Sequence, residues 1–202
     1  MTQNSGRPFV IGITGGSGAG KGEVCRFLAT RGMTILDTDK MAHEQILRGK
    51  PAYDEVLAAF GDSILGQDGQ IDRKKLGAIV FADKIALARL STIVHKYVQQ
   101  ECENIIARHT GPIVIDGAAL VEAGMDKACD VVIGVFAPLK TRISRITARD
   151  NITPEAAARR ISSQMPDETL RKFCHIMIEN DTGLEELADK CSQIPIEEKG
   201  LL

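Results

Sequence analysis

The chain has 202 residues, of which 25 are lysine or arginine and 27 are aspartate or glutamate, so its formal net charge is −2. This near-balance argues against a nucleic-acid-binding arm or an anionic-membrane binder, because both need an excess of basic residues. Hydrophobic residues make up 44% and charged residues 26% of the chain, a composition typical of a folded globular protein rather than a disordered one.

No stretch of the sequence approaches the roughly 20 apolar residues that a transmembrane helix needs. The polar segment Met1–Pro8 lacks the apolar core of a signal peptide, so we expect a cytoplasmic protein. The five cysteines are widely spaced and form no zinc-binding pattern, which is typical of free thiols in a reducing compartment. We expect neither nucleic acid nor a membrane among the partners.

The first elements predict the start of a parallel α/β sheet. Phe9–Ile13 is a short apolar run typical of a strand buried on both faces. Lys21–Arg31 carries apolar residues at helical spacing and stops at Gly32, and a second strand follows at Thr34–Leu36. This order of strand, glycine-rich loop, helix and strand predicts that the two strands form a parallel pair with a right-handed crossover.

The middle of the chain, residues 41–110, is predicted to be helical. One long helix is expected over Asp83–His109, where apolar residues keep a helical period. Shorter helices are expected over Ala52–Phe60 and Arg73–Phe81, with a turn-rich segment between them. We interpret this part as a helical insertion between strands of the sheet.

Strands and helices alternate in the last part of the chain. Three strands are predicted, at Pro112–Ile115, Val131–Phe136 and His175–Ile178. Three helices are predicted, at Leu139–Arg149, Pro154–Gln164 and Thr182–Gln193. Five apolar strands interleaved with helices predict a doubly wound α/β fold, with residues 1–40 and 111–202 forming the sheet domain.

The loop after the first strand, Gly15–Lys21, fits the first seven positions of the phosphate-binding pattern G-x-x-x-x-G-K. Small residues let backbone N–H groups turn toward phosphate oxygens, and Lys21 can bridge the β- and γ-phosphates. The helix that begins near Lys21 directs its positive end at the same phosphates. We therefore predict a nucleotide site made of Gly16, Ser17, Gly18, Ala19, Gly20, Lys21, Gly22 and Glu23. The alternative is a glycine-rich turn followed by an unrelated lysine.

The eighth position departs from this pattern. A serine or threonine there supplies a hydroxyl ligand for Mg²⁺, and this chain has Gly22 instead.

The chain resembles the dephospho-CoA kinase family from about Phe9 to Gln193. The family's motifs occur in the same order, beginning with the loop Thr14–Lys21 and continuing with Asp37-Thr38-Asp39, Asp72-Arg73, Val80-Phe81, Leu90–His95, Asp116–Glu122, Arg145–Asp150, Ala157–Pro166 and Ile178–Asn180. The chain departs from the family at Gly22, at Ala118-Ala119 in place of a Pro-Leu pair, at His43 in place of an arginine, and at Lys96 in place of a proline.

The resemblance implies a P-loop nucleoside-triphosphate-hydrolase-type fold: a five-stranded parallel sheet flanked by helices, with a helical lid at about 139–172. It also implies that the insertion 41–110 binds the acceptor. The implied reaction transfers the γ-phosphoryl group of ATP, with Mg²⁺, to the ribose 3′-hydroxyl of dephospho-CoA, the last step of coenzyme A biosynthesis. ATP and dephospho-CoA are then the small-molecule partners of a monomer or weak homo-oligomer.

Lys21, Asp39 and Arg145 become the catalytic candidates under this resemblance. Asp39 would orient or deprotonate the acceptor hydroxyl, and the alternative is that Asp37 or Asp39 only caps the following helix. Arg142, Arg145 and Arg149 lie at helical spacing, which by itself is typical of a solvated face. The resemblance instead makes Arg145 and Arg149 candidates for closing over ATP, with Arg160 as a further one.

The candidates for acceptor binding are Asp39, Arg73, His95 and Asp116. Arg73 would bind the acceptor's phosphates and His95 would position the acceptor; alone, each would be an ordinary surface or helix-cap residue. Asp116 is also the candidate to hold Mg²⁺ through water, because Gly22 offers no hydroxyl, and a turn-forming aspartate is the alternative.

Two other functions remain open at this point. One is another P-loop nucleoside or nucleotide kinase, and the other is a catalytically weakened nucleotide-binding relative.

Overall fold

The computed structural model describes residues 7–181 and 183–194. They fall into two compact units, one formed by the described residues up to Asp37 and from Ile106 onward, the other by Thr38–Ile105. The remaining positions, 1–6, 182 and 195–202, lie outside the described residues. They include both ends of the predicted sheet domain and the predicted helix start at Thr182.

The first unit contains a five-stranded parallel sheet, which confirms the predicted fold class. The strands are β1 (Val10–Thr14), β2 (Thr34–Asp37), β3 (Ile113–Asp116), β4 (Val131–Phe136) and β5 (Ile176–Glu179). Their order across the sheet is β2-β3-β1-β4-β5. Every residue of β1 and β4 is buried, and for this reason both strands are continuous apolar runs in the sequence.

The predicted pairing of the first two strands is wrong, because β3 lies between them. β3 pairs with β1 on one side and with β2 on the other. Ile113, Val114 and Ile115 have no exposed surface, whereas Thr34 and Ile35 of β2 are partly exposed and Asp37 is exposed. The more apolar strand therefore occupies the inner position, and β2 lies at the edge of the sheet.

In chain order, the helices are α1 (Lys21–Thr30), α2 (Thr38–Gln45), α3 (Pro51–Phe60), α4 (Arg73–Val80), α5 (Lys84–Arg108), α6 (Leu139–Asp150), α7 (Pro154–Ser162), α8 (Asp167–Leu170) and α9 (Leu184–Ser192). Among the described residues, seven helices match predicted ones within a few residues at each end, and α2 and α8 had no predicted bounds. Within that part of the chain, no helix combines the length and apolar character needed to cross a membrane.

Helix α2 lies where a helix was considered only as the one that Asp37 or Asp39 would cap, and no bounds were predicted for it. Its two buried residues are the polar Thr38 and Gln45, so it lacks the apolar periodicity by which the other helices were found. It begins directly after β2, so Thr38 and Asp39 are its first two residues.

The core of the first unit fixes α1 against the sheet. Val24, Cys25 and Leu28 of α1 are buried in one cluster with aliphatic residues of the sheet and with Leu187 and Cys191 of α9. Because α1 is held along this face, its first residue and the glycine-rich loop before it are fixed at the carboxyl end of β1.

Replacing Leu28 with alanine tests this packing. Leu28 is fully buried, so Leu28→Ala should lower the free energy of unfolding by about 3 kcal/mol through lost burial and a residual cavity. Leu139 is 56% exposed, and Leu139→Ala should change the same quantity by about 0.5 kcal/mol or less. Urea denaturation followed by circular dichroism measures both variants, and equal losses would contradict the packing described here.

Candidate active site

Three strands end at the same edge of the sheet, where the glycine-rich loop begins. Asp37 at the end of β2 lies in register with Asp116 at the end of β3, and Asp116 in turn with Ile13 of β1. The loop from Gly15 to Gly20 leaves β1 at this edge and leads into α1. In parallel α/β sheets, ligands bind outside the carboxyl ends of the strands, so this edge is the candidate site.

The loop follows a path that side chains would obstruct. Gly15 and Gly20 have φ angles of 147° and 103°, which L-residues with a side chain rarely adopt. A Cβ atom on Gly15 would collide with the backbone carbonyl of Val135, and one on Gly20 with the side-chain amide of Asn180. The loop therefore packs directly against β4 and against the residue that follows β5.

Arg142 of α6 binds a backbone carbonyl of the loop. This arginine is only 4% exposed, and its Nε donates a hydrogen bond to the Ser17 carbonyl at 2.9 Å. Its Nη1 donates to both carboxylate oxygens of Asp167, at 3.0 and 3.1 Å. Of the three arginines spaced along α6, Arg142 is thus a buried anchor rather than part of a solvated face.

Arg145 and Asn180 hold the next two loop carbonyls. Nη1 of Arg145 donates to the carbonyls of Gly18 and Ala19, at 3.4 Å each, and its Nη2 donates to Oδ1 of Asn180 at 3.2 Å. Asn180 is 4% exposed and donates from Nδ2 to the Ala19 carbonyl at 2.8 Å. Because these side chains bind the carbonyls of Gly18 and Ala19, the peptide groups of the loop are held in one orientation.

Lys21 and Ser17 donate hydrogen bonds to other groups of the protein. Nζ of Lys21 donates to the carbonyl of Gly15 at 3.0 Å, so the ammonium group is folded back over the start of the loop. The backbone N–H of Ser17 donates to Oε1 of Gln164 at 2.8 Å. Both donors are of the kind that a P-loop offers to phosphate oxygens.

Negative charge lies beside this positive loop. Burial raises the pKa of the Cys25 thiol far above its usual range, and the Asp116 carboxylate, which the thiol hydrogen-bonds, raises it further. The charges of Lys21 and Asp37 act on the same thiol, Lys21 lowering its pKa and Asp37 raising it. Lys21, Asp37 and Asp116 therefore all lie near Cys25 at the carboxyl ends of the strands. The thiol of Cys25 stays protonated there.

The remaining predicted residues of the nucleotide site are placed differently. A Cβ atom on Gly22 would have no atom within 4 Å, so this position is open. Glu23 forms an ion pair with Arg26, one turn further along α1. Arg149 donates from Nε and Nη2 to the two oxygens of Asp150, at 2.7 and 2.9 Å, and its side chain is 64% exposed.

Asp150 binds a second arginine as well, Arg160 of α7. The hydrogen bonds from Arg149 and then Arg160 hold the pKa of the Asp150 carboxyl well below its usual range, and the same contact raises the pKa of Arg149. Asp150 thus connects α6 to α7 and holds two exposed cations close together.

Asp39, Arg73 and His95 belong to the second unit. Asp39 is an exposed residue in the first turn of α2, and His95 lies half-buried on α5. Arg73 is the first residue of α4, and its Nη2 lies 2.8 Å from Nε2 of His43. Since arginine can only donate, His43 accepts this bond at an unprotonated Nε2.

Lys96, at a position where the family carries proline, connects two helices of the second unit. Its Nζ donates to Glu55 of α3 at 2.9 Å, and the hydroxyl of Tyr97 donates to the same carboxylate at 2.8 Å. The hydrogen bond to Lys96 lowers the pKa of Glu55, and the same bond raises the pKa of Lys96.

Four residues at the loop had no predicted site role: Arg142, Gln164, Asp167 and Asn180. A signal was available for Asn180, which lies two positions after the predicted strand His175–Ile178, much as Asp116 follows another predicted strand. Arg142 lies on α6, Gln164 just beyond α7 and Asp167 at the start of α8, and their approach to the loop depends on how these helices pack against it.

A family model described as dephospho-CoA kinase matches residues 9–186 of the chain. A dephospho-CoA kinase of Thermobifida fusca is 39% identical over 186 residues, which cover 91% of this chain and 93% of that protein.

Solved structures agree with this match. A crystal structure of a Thermus thermophilus protein, TT1252, has a TM-score of 0.79 and 31% identity, covering 94% of this chain and 97% of that one. The structure of dephospho-CoA kinase from Campylobacter jejuni shares the fold, with a TM-score of 0.68 at 24% identity over 96% of this chain and 98% of that one. The motifs, the phosphate loop at the edge of the sheet and these similarities lead to one conclusion: the chain belongs to the dephospho-CoA kinase family.

Proposed function

We propose that this chain transfers the γ-phosphoryl group of ATP to the ribose 3′-hydroxyl of dephospho-CoA. The observation that carries the proposal is the phosphate loop of a chain that belongs to the dephospho-CoA kinase family. Hydrogen bonds from Arg142, Arg145 and Asn180 to its backbone carbonyls hold this loop in place. Phosphoryl transfer needs mainly positioning and charge stabilisation, and a rigid loop of backbone donors supplies both.

In this proposal the loop, Lys21 and Arg145 each act on the nucleotide phosphates. Backbone N–H groups of the loop and the N-terminal end of α1 bind the phosphates. Nζ of Lys21, which lies 3.0 Å from the Gly15 carbonyl oxygen, would bind phosphate oxygens instead. This change is favourable because a charged acceptor replaces a neutral one. Arg145 already lies against the loop and adds positive charge as charge develops on the transferred group.

The carboxylates at the site edge fit a divalent cation. Mg²⁺ prefers oxygen ligands, keeps several waters, and is commonly held by one or two carboxylates together with substrate phosphates. Asp116 would hold it, with Asp37 in register beside it, and among the described residues no group of three or more metal-ligating side chains offers a closed protein site. Mg²⁺ bound with ATP neutralises charge on the phosphates.

The acceptor would be bound by the second unit. Arg73 lies beside His43 rather than beside a carboxylate in this contact, and its guanidinium would bind a phosphate of dephospho-CoA. Asp39 is exposed in the first turn of α2, where it can accept the proton of a hydroxyl group. His95 would position the acceptor.

Removing the loop lysine tests the assignment of the phosphate site. Lys21→Ala should lower kcat/KM for ADP release with dephospho-CoA by about 100-fold or more, since one preorganised donor to the transition state is lost. Lys127 is exposed and lies just before the amino end of β4, whereas the loop lies at the carboxyl ends of the strands, so Lys127→Ala serves as the matched control. Unaltered turnover in a correctly folded Lys21→Ala protein would eliminate this phosphate site.

Position 22 tests the metal. Space around Gly22 admits a side chain without a clash, so Gly22→Ser should lower the Mg²⁺ concentration needed for half-maximal velocity by supplying a hydroxyl ligand. Gly22→Ala is the control, because it shares the gain in helix propensity and lacks the hydroxyl. Identical Mg²⁺ titrations for the serine and alanine variants would mean that the hydroxyl does not reach the metal.

A panel of ligands tests the acceptor. Dephospho-CoA at about 100 times its Kd should stabilise the protein by about 2.7 kcal/mol, which is about 5 °C or more in Tm for a chain of this size. AMP and adenosine at equal concentration should produce smaller shifts. Stabilisation by AMP or a nucleoside, without any by dephospho-CoA, would favour another P-loop nucleoside or nucleotide kinase, the first of the two alternatives that the sequence left open.

A further inference from the structure

Arg142, Arg145 and Arg149 lie on one face of α6, because they are three and four residues apart. The first two bind the phosphate loop in order: Arg142 binds the Ser17 carbonyl, and Arg145 binds the next two carbonyls. Successive turns of α6 therefore follow the loop toward Lys21. Arg149 lies on the same face, one turn beyond Arg145, and continues this line of cations.

Arg149 is held by a carboxylate at the end of the same helix. Its Nε and Nη2 donate to the two oxygens of Asp150 at 2.7 and 2.9 Å, a bidentate pair that fixes the plane of the guanidinium. Arg160 of α7 donates to the same carboxylate from Nη1. Two arginines therefore share one carboxylate, and two positive charges against one negative charge leave the three groups with a net charge of +1.

The backbone between the two helices is short and is held at each end. α6 ends at Asp150, and Asn151 follows in the left-handed region with a φ angle of 52°. Thr153 caps α7 through its side chain. The ion pair between Asp150 and Arg160 joins the last residue of α6 to the last turn of α7. Asp150 therefore also sets where Arg160 lies relative to Arg149.

Both arginines keep exposed surface that an anion can reach. The side chains of Arg149 and Arg160 are 64% and 43% exposed, although each is bound to Asp150. A guanidinium binds two oxygens of a phosphate at once. Holding both arginines in place before binding removes side-chain entropy that binding would otherwise cost.

We propose that Asp150 is a positioning residue that holds Arg149 and Arg160 as one binding site for the phosphate oxygens of ATP. The face of α6 that carries Arg149 is the one that contacts the phosphate loop, and phosphate is the ligand of such a loop. Asp150 acts through the two arginines and needs no contact of its own with the nucleotide. The inference rests on the proposed function, because it needs ATP at this loop.

Charge and position predict opposite effects for the loss of Asp150. ATP is an anion, so removing a negative charge near it should tighten binding if Asp150 acted only through its charge. If Asp150 holds the arginines, its removal frees both side chains and leaves two like charges to move apart, so binding should weaken. The direction of the change in Kd therefore decides between the two roles.

Calorimetric titration of the full chain with Mg·ATP measures this direction. Asp150→Asn should raise Kd about tenfold, because disordered arginine side chains must then be ordered on binding. Asp130→Asn is the matched control, since Asp130 is also ion-paired with an arginine and its side chain is 23% exposed, against 24% for Asp150. Asp130 lies directly before β4, away from the carboxyl ends of the strands, so the Kd of this variant should stay at the wild-type value.

Two further readouts separate positioning from a loss of structure. A variant that was partly unfolded would bind ATP at fewer sites per chain, with an unchanged Kd for the folded molecules. When Arg149 and Arg160 are both replaced by alanine, adding Asp150→Asn should no longer raise Kd, since the groups that Asp150 positions are gone. A tenfold rise that persists in this background would overturn the proposal.

The outcomes also separate this inference from the proposed function. A lower or unchanged Kd in Asp150→Asn, with coenzyme A still formed by the wild type, overturns the role of Asp150 alone. A higher Kd in that variant, without phosphorylation of dephospho-CoA by the wild type, supports Asp150 and overturns the proposed acceptor. A wild-type chain that binds no ATP overturns both.

Discussion

The site depends on the close packing of the phosphate loop against β4, α6 and Asn180. The carbonyls of Ser17, Gly18 and Ala19 accept hydrogen bonds from side chains of Arg142, Arg145 and Asn180. Because these carbonyls are bound, the peptide groups between them cannot rotate freely, and side chains of the protein itself set the shape of the loop. A preorganised site of this kind stabilises charge in a transition state without first having to rearrange.

The same contacts explain why position 20 is a glycine and why α6 can carry a buried arginine. Asn180 can reach the Ala19 carbonyl only because Gly20 leaves room for its amide. Arg142 is tolerated at 4% exposure because Asp167 and the Ser17 carbonyl together satisfy its charge. Burying an arginine without such partners would cost several kcal/mol, so the anchor and its carboxylate must be present together.

Local pattern was sufficient to predict the strands, the loop and the long helix α5, since each has its own periodicity or motif. It was insufficient for β3, whose place between β1 and β2 depends on which strand is more apolar. The bounds of helix α2 were not predicted because its buried residues, Thr38 and Gln45, are polar and leave no apolar period. Arg142 and Gln164 contact residues that are 125 and 147 positions away in the chain, and no local signal predicts such contacts.

The most direct test of the account is to incubate the chain with ATP, Mg²⁺ and dephospho-CoA, measure ADP release, and identify the product by mass spectrometry and NMR. We expect ADP and coenzyme A in equal amounts, with the new phosphate on the ribose 3′-oxygen. Binding of ATP without any phosphorylated dephospho-CoA would contradict the account, and so would a phosphate found on another acceptor.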